Sequence, residues 1–252
     1  MGLFYLLDSR EHIFEDSYRN LQGYTPAELM NRMEIVFEDE EGTDAGGVSR
    51  DWFFNLSRAM MNPNYALFRQ SNIGSETYMP NPHSNVNPAH LQYFKFCGRF
   101  VAKAIIDHQF LDCHFTRAFY KQILGVPVSW RDLQAVDEPL YKSLLWLLEN
   151  DISGMEGDYT FSLDVDRFGV VETIDLKPDG RHLLVTEANK NEYVHLVADM
   201  KLTQAIREQI DSFRGGFTEL IKPEDIAIFD EQVRYLTSRE AIGAISMRIF
   251  FW

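Results

Sequence analysis

The strongest constraint on this chain is a change of period within it. Up to about residue 140, and again after about residue 186, apolar residues recur every three or four positions. Between them, Tyr159-Thr160-Phe161-Ser162-Leu163 and the run from Val170 to Leu176 alternate with period two. The two periods belong to different elements, because side chains repeat along a helix every 3.6 residues and along a strand every two. The chain therefore predicts an α+β fold: a mostly helical body over 11–139 and 217–232, interrupted over 140–216 by a small inserted subdomain with antiparallel strands. Lys177-Pro178-Asp179-Gly180 reads as a turn before a further short strand, His182 to Val185.

The helical part can be read in segments. Trp52, Leu56 and Met60 share one face, with Phe53 and Ala59 at its margins and Pro63 ending the run. The stretch 73–88 is rich in Pro, Asn and Ser, and places Pro88 at the first position of a long helix. That helix carries Leu91, Phe94, Phe96, Phe100, Val101 and Ile105, an apolar set broad enough for a largely buried position. Thr116 is the expected N-cap and Gly125 the expected stop of the next helix. Asp137 is placed to cap a helix with Leu140, Leu144, Leu147 and Leu148 at spacings of three and four, while Leu145 and Trp146 point elsewhere. Thr186 is expected to cap a long helical stretch striped with Val197, Met200, Ile206, Ile210 and Phe213 and ended by Gly215-Gly216.

A hydrophobic content of 45% over 252 residues, with 13% aromatics, is enough for a sizeable core. The net charge of -14 opposes binding to a nucleic-acid backbone and favours basic or mixed-charge protein partners. Two cysteines, Cys97 and Cys113, would form at most one bridge in so long a chain, which suggests a reducing compartment, cytoplasmic or nuclear. Met1 to Leu7 lacks a basic leader and runs straight into Asp8, Glu11 and Glu15, so it makes a poor signal peptide. The apolar end Ile249-Phe250-Phe251-Trp252 is too short to span a bilayer, and membrane insertion is not expected.

Residues able to do chemistry are few. Cys97 sits among aromatics and reads as a small core residue. Around Cys113 the signals conflict: Asp112 would raise a thiol pKa and His114 would lower it, with the structural reading leading. Asp107, His108, Asp112, Cys113 and His114 are metal-ligand types without a spacing that aims four of them at one point, so no metal and no other cofactor is expected. The acidic run Glu38 to Asp44 fails as a calcium loop, since aligning Gly42 with the loop glycine puts Phe37 in the first ligand position. It reads as a turn between a strand, Glu34 to Phe37, and the next helix. No phosphate-cradling loop, nucleophile elbow or His-Glu-x-x-His pair occurs. An interaction module is favoured over an autonomous enzyme.

Several strings occur in one order: Phe14-Glu15-Asp16-Ser17-Tyr18, Glu41-Gly42-Thr43-Asp44-Ala45-Gly46-Gly47, Met61 to Phe68, Tyr93-Phe94-Lys95-Phe96, Trp146 to Asp151, Phe168-Gly169, Asp175 to Gly180 and Ile228-Phe229-Asp230-Glu231. Together they resemble the N-terminal lobe of the HECT-type E3 ubiquitin ligase domain over about residues 11–232, most like the very large Mule-type ligases. The resemblance implies an N-lobe that docks a ubiquitin-charged conjugating enzyme (E2) and a second lobe whose cysteine accepts ubiquitin as a thioester before passing it to a protein substrate. The signature of that cysteine, His-Thr-Cys-Phe-Asn, does not occur here, and neither Cys97 nor Cys113 matches it, so no catalytic residue is assigned and the chain alone is expected to be inactive. An alternative is a stand-alone docking module or an inert truncated ligase.

By the same resemblance, Leu144, Leu147, Tyr193 and Val197 match the positions of the conjugating-enzyme groove, and Tyr65 and Phe168 match two aromatic positions that hold a non-covalent ubiquitin. A recess of this kind suits an apolar anchor on a partner loop. From Val233 to Trp252 the sequence departs from the family, as a divergent tail.

Overall fold

A computed structural model describes residues 3–38, 40, 46–72, 74–154, 157, 159–167, 169–222 and 224–225. The divergent tail, most of the acidic run 38–44 and the end of the segment 217–232 lie outside these residues. The chain opens with β1 (Leu3–Asp8), α1 (Ile13–Gln22), α2 (Pro26–Leu29) and β2 (Arg32–Phe37). β1 and β2 pair in parallel, with Leu6 opposite Ile35 and Asp8 opposite Phe37, and the inward positions are buried. The first of these strands was not anticipated, because Met1 to Leu7 is an unbroken apolar run rather than an alternating one.

α3 (Gly47–Met60) buries Trp52, Phe53, Leu56 and Met60 as its spacing predicted. Asp8 ties β1 to both neighbouring helices: its buried carboxylate accepts from Trp52 Nε1 at 2.6 Å, from Asn20 Nδ2 at 2.7 Å and from the Ser17 hydroxyl. Burial pushes this carboxyl up and those three donors pull it back down. A small sheet follows, β3 (Phe68–Gln70), β4 (Thr77–Pro80) and β5 (His114–Phe115), in the order β3-β4-β5.

α4 (His90–Ile106) and α5 (Arg117–Leu124) supply the centre of the body. α4 starts two residues after Pro88, because the Asn87 side chain accepts from Ala89 N at 3.1 Å and holds 87–89 in a turn. α5 has the ends its sequence specifies: the Thr116 hydroxyl accepts from Phe119 N, and Gly125 takes a φ of 75°. The insert then begins with α6 (Glu138–Glu149), where Asp137 Oδ1 accepts from Leu140 N at 3.1 Å. β6 (Ser162–Arg167) and β7 (Val170–Asp175) pair antiparallel, followed by α7 (Lys190–Leu202) and α8 (Arg207–Thr218).

Three expectations change here. The strand at His182 to Val185 reduces to one bridge, Thr160 with Leu184, after a 3-10 turn. Thr186 opens a turn and does not cap α7, since its N–H donates to Asn189 Oδ1 at 2.7 Å and the helix starts at Lys190. The stretch to 216 breaks at Thr203, and α8 packs along α4, so the return to the body falls near residue 203 and not 216.

Gly215-Gly216 lies inside α8 and does not end it. At Gly216 the reason is contact: a Cβ there would fall 1.9 Å from the Lys95 carbonyl oxygen, and a Cβ on Gly98 of α4 would fall 1.9 Å from that of Phe213. The two backbones cross in contact at these two glycines. Glu219 clasps the crossing, with Arg99 at 2.5 Å and Lys95 at 2.6 Å. Gly98→Ala or Gly216→Ala is expected to cost roughly 3 kcal/mol or more, by overpacking against rigid backbone. Gly215→Ala, with no atom within 4 Å of its Cβ, is expected to be neutral or to stabilise by about 0.5–1 kcal/mol. Urea unfolding of the three variants checks the contrast.

Candidate functional site

The insert is built on α6 and α7, which pack against each other. Leu144 and Leu147 lie one turn apart on α6, and Tyr193 and Val197 one turn apart on α7. Helical spacing of three and four puts each pair on one face. Lys190 pins the two helices at their ends: its buried ammonium donates to Asn150 O, at the C-terminus of α6, at 2.7 Å and meets Glu187 at 2.7 Å. A cation there complements the negative end of the helix.

The Tyr193 ring meets Phe161 edge to face at 5.7 Å, and Tyr159 lies 6.4 Å away. Lys177 Nζ sits 3.7 Å from the centre of the Phe161 ring and pairs with Glu192 at 2.9 Å. Gly180 brings the backbone in behind this ring, since a Cβ there would stand 2.1 Å from Phe161 O.

The four residues matched to the groove therefore come together, but they are enclosed: Leu144 and Leu147 are 2% exposed, Tyr193 6% and Val197 0%. They form the floor of the subdomain and not the lining of an open recess. A spacing of three and four marks an apolar face without saying whether its partner is a neighbouring helix or a visiting protein. At its surface the insert exposes Trp146, 45% exposed, with Leu183 and Leu184 and, at the tip of the hairpin, Val170 and Val171, and it half-buries Leu148 and Tyr159. Leu148 sits one turn beyond Leu144, and Tyr159 lies beside Tyr193, so both border the floor. The signal that could have found Trp146 was present, since a tryptophan off the apolar face of a helix has no partner of its own.

Tyr65 ends a 3-10 turn over Pro63–Tyr65. Its half-buried ring lies 4.3 Å from Phe14, and its hydroxyl donates to Glu15 Oε1 at 2.6 Å. Burial, and then the Glu15 bond, hold the phenol above its ordinary range. Phe168 lies outside the described residues.

Both thiols are interior. Burial raises Cys97 well above the ordinary thiol range, and burial with the nearby Asp112 charge pushes Cys113 up to about 12. The opposing signals read around Cys113 thus resolve toward an unactivated thiol. Asp107 pairs with Lys103 at 2.7 Å and Asp112 with Arg58 at 3.6 Å, and among the described residues no three His, Cys, Asp or Glu side chains converge on a point that could hold a metal. No described helix is long and apolar enough to cross a membrane.

Comparison with known proteins places these elements in context. A family model, HECT-domain (ubiquitin-transferase), matches residues 54–238. The chain is similar to the E3 ubiquitin-protein ligase HUWE1 of Mus musculus, 54% identical over 223 residues that make up 88% of this chain and 5% of that protein. It is 49% identical over 224 residues to the E3 ubiquitin-protein ligase TOM1 of Saccharomyces cerevisiae, covering 88% of this chain and 7% of that one. With the E3 ubiquitin-protein ligase pub1 of Schizosaccharomyces pombe it shares 48% identity over 237 residues, 94% of this chain and 30% of that one. The chain thus spans a third or less of each of these relatives.

Neither cysteine in the shared span is accessible, which has a measurable consequence. A thiol reagent at pH 8 is expected to leave the folded chain unlabelled for hours and to label both cysteines at once in denaturant. Rapid labelling of Cys113 in the native state would contradict its placement.

Proposed function

Because the chain belongs to the HECT-domain family of E3 ubiquitin ligases, we propose that its insert, about 138–202, is the surface that recruits a ubiquitin-charged conjugating enzyme. Ligases of this family work with conjugating enzymes and ubiquitin. The observation that carries the reading is the exposed Trp146 on α6, with the half-buried Leu148 and Tyr159 bordering the buried residues Leu144, Leu147, Tyr193 and Val197. Large aromatic anchors on a packed base are where binding energy concentrates at protein interfaces.

Charge supports the same reading. Residues 138–202 hold 13 Asp and Glu against 6 Lys and Arg, half of the net charge of -14 in about a quarter of the chain. An acidic excess of this kind draws a basic partner and speeds encounter at low salt. The burial of both thiols supports a docking part for the chain in ubiquitin transfer, with the thioester step on another cysteine. On the same proposal Tyr65, with Phe168, holds a second, non-covalent ubiquitin, for which an aromatic packed tilted against Phe14 and fixed by Glu15 makes a suitable anchor.

Trp146→Ala and Leu148→Asp are each expected to weaken binding of the charged conjugating enzyme by about 2 kcal/mol, roughly thirtyfold, with circular dichroism unchanged. Tyr193→Ala should lose binding as well, through collapse of the floor, and should also lower stability by about 3 kcal/mol. Tyr65→Ala should abolish binding of free ubiquitin and spare the conjugating enzyme. Normal affinity in both Trp146→Ala and Leu148→Asp would remove this surface from the reaction.

A further inference from the structure

We propose that the outer edge of β6 is a strand-addition site for an extended protein segment that alternates basic and β-branched apolar residues. The hairpin of β6 and β7 stands as a two-stranded sheet, and among the described residues no further strand pairs with it. A lone hairpin is marginal in water, and its open edges carry backbone groups that pair readily with another chain.

The two edges are not equivalent. On β7 the Arg181 guanidinium donates to Thr173 O at 3.2 Å and blocks the base of that edge. Along Ser162–Arg167 no backbone group is bonded to a described side chain or to a described strand other than β7, so every second residue turns outward an N–H and C=O without a partner among the described residues.

The side chains of β6 then specify what would add. Asp164 and Asp166 lie on one face, and Leu163 and Val165 on the other. Leu163 packs on the core, whereas Val165 is only partly covered, and the tip ends in Val170 and Val171, 67% and 65% exposed. A strand laid along β6 would need a cation opposite each aspartate and a β-branched residue opposite Leu163 and Val165. A second copy of this chain does not meet that requirement, because antiparallel pairing of β6 with itself sets Asp164 and Asp166 against each other. The site shares no residue with the set Trp146, Leu148 and Tyr159, and its test does not depend on the docking reading.

The experiment titrates the whole chain with a blocked decapeptide of alternating lysine and valine and follows backbone amide resonances. Shifts centred on 162–167 are expected, with the dissociation constant at least tenfold weaker for D164N/D166N. Asparagine keeps the acceptors that Asp164 offers the Thr173 hydroxyl and Asp166 offers Gly169 N, so the hairpin itself should hold. A lysine–proline peptide has the same charge and cannot form a ladder; it and a glutamate–valine peptide are expected not to bind at 162–167. Absence of binding by the lysine–valine peptide, equal binding of the lysine–proline peptide there, shifts centred elsewhere, or unchanged affinity in D164N/D166N would each overturn the proposal.

Discussion

The backbone contact between α4 and α8 is the constraint on which the rest of this molecule depends. Two glycines, Gly98 of α4 and Gly216 of α8, let the helices touch where any side chain would hold them apart. Because α8 is fixed on α4, the chain that left the body before α6 must come back to it after α7. Gln122 on α5 reinforces the return, donating to Leu202 O at 2.6 Å at the end of α7. The insert is therefore held at both ends by the helical body, and its surface is presented on a fixed base.

Much of this was legible in the residues. The Thr116 cap and Gly125 stop of α5, the Asp137 cap of α6 and the buried face of α3 all follow from local chemistry, and the structure has each of them. What was not legible depends on distant partners. Gly215-Gly216 carries the local signature of a helix end, and only the position of Lys95 on another helix reveals that Gly216 is there for close approach. The same limit applies to Leu144, Leu147, Tyr193 and Val197, whose pattern is that of an apolar face and whose enclosure is decided by how α6 meets α7. Asp8 is the inverse case: an acidic residue ending an apolar run looks like the start of a solvated segment, yet Trp52, Asn20 and Ser17 converge on it in the core.

The division of labour follows from burial. Both thiols of the described chain are interior, and large apolar groups such as Trp146 are left exposed at the surface of the insert. On the proposed reading, acidic charge attracts the partner and an aromatic anchors it.

The central claim is that the charged conjugating enzyme sits on the insert, over α6 and α7. Hydrogen exchange of the chain with and without a ubiquitin-charged conjugating enzyme tests it most directly. The account predicts slowed exchange confined to about 144–150, 159–161 and 183–197, with α3 and α4 unchanged. Protection centred on the helical body, with the insert exchanging as in the free chain, would contradict it.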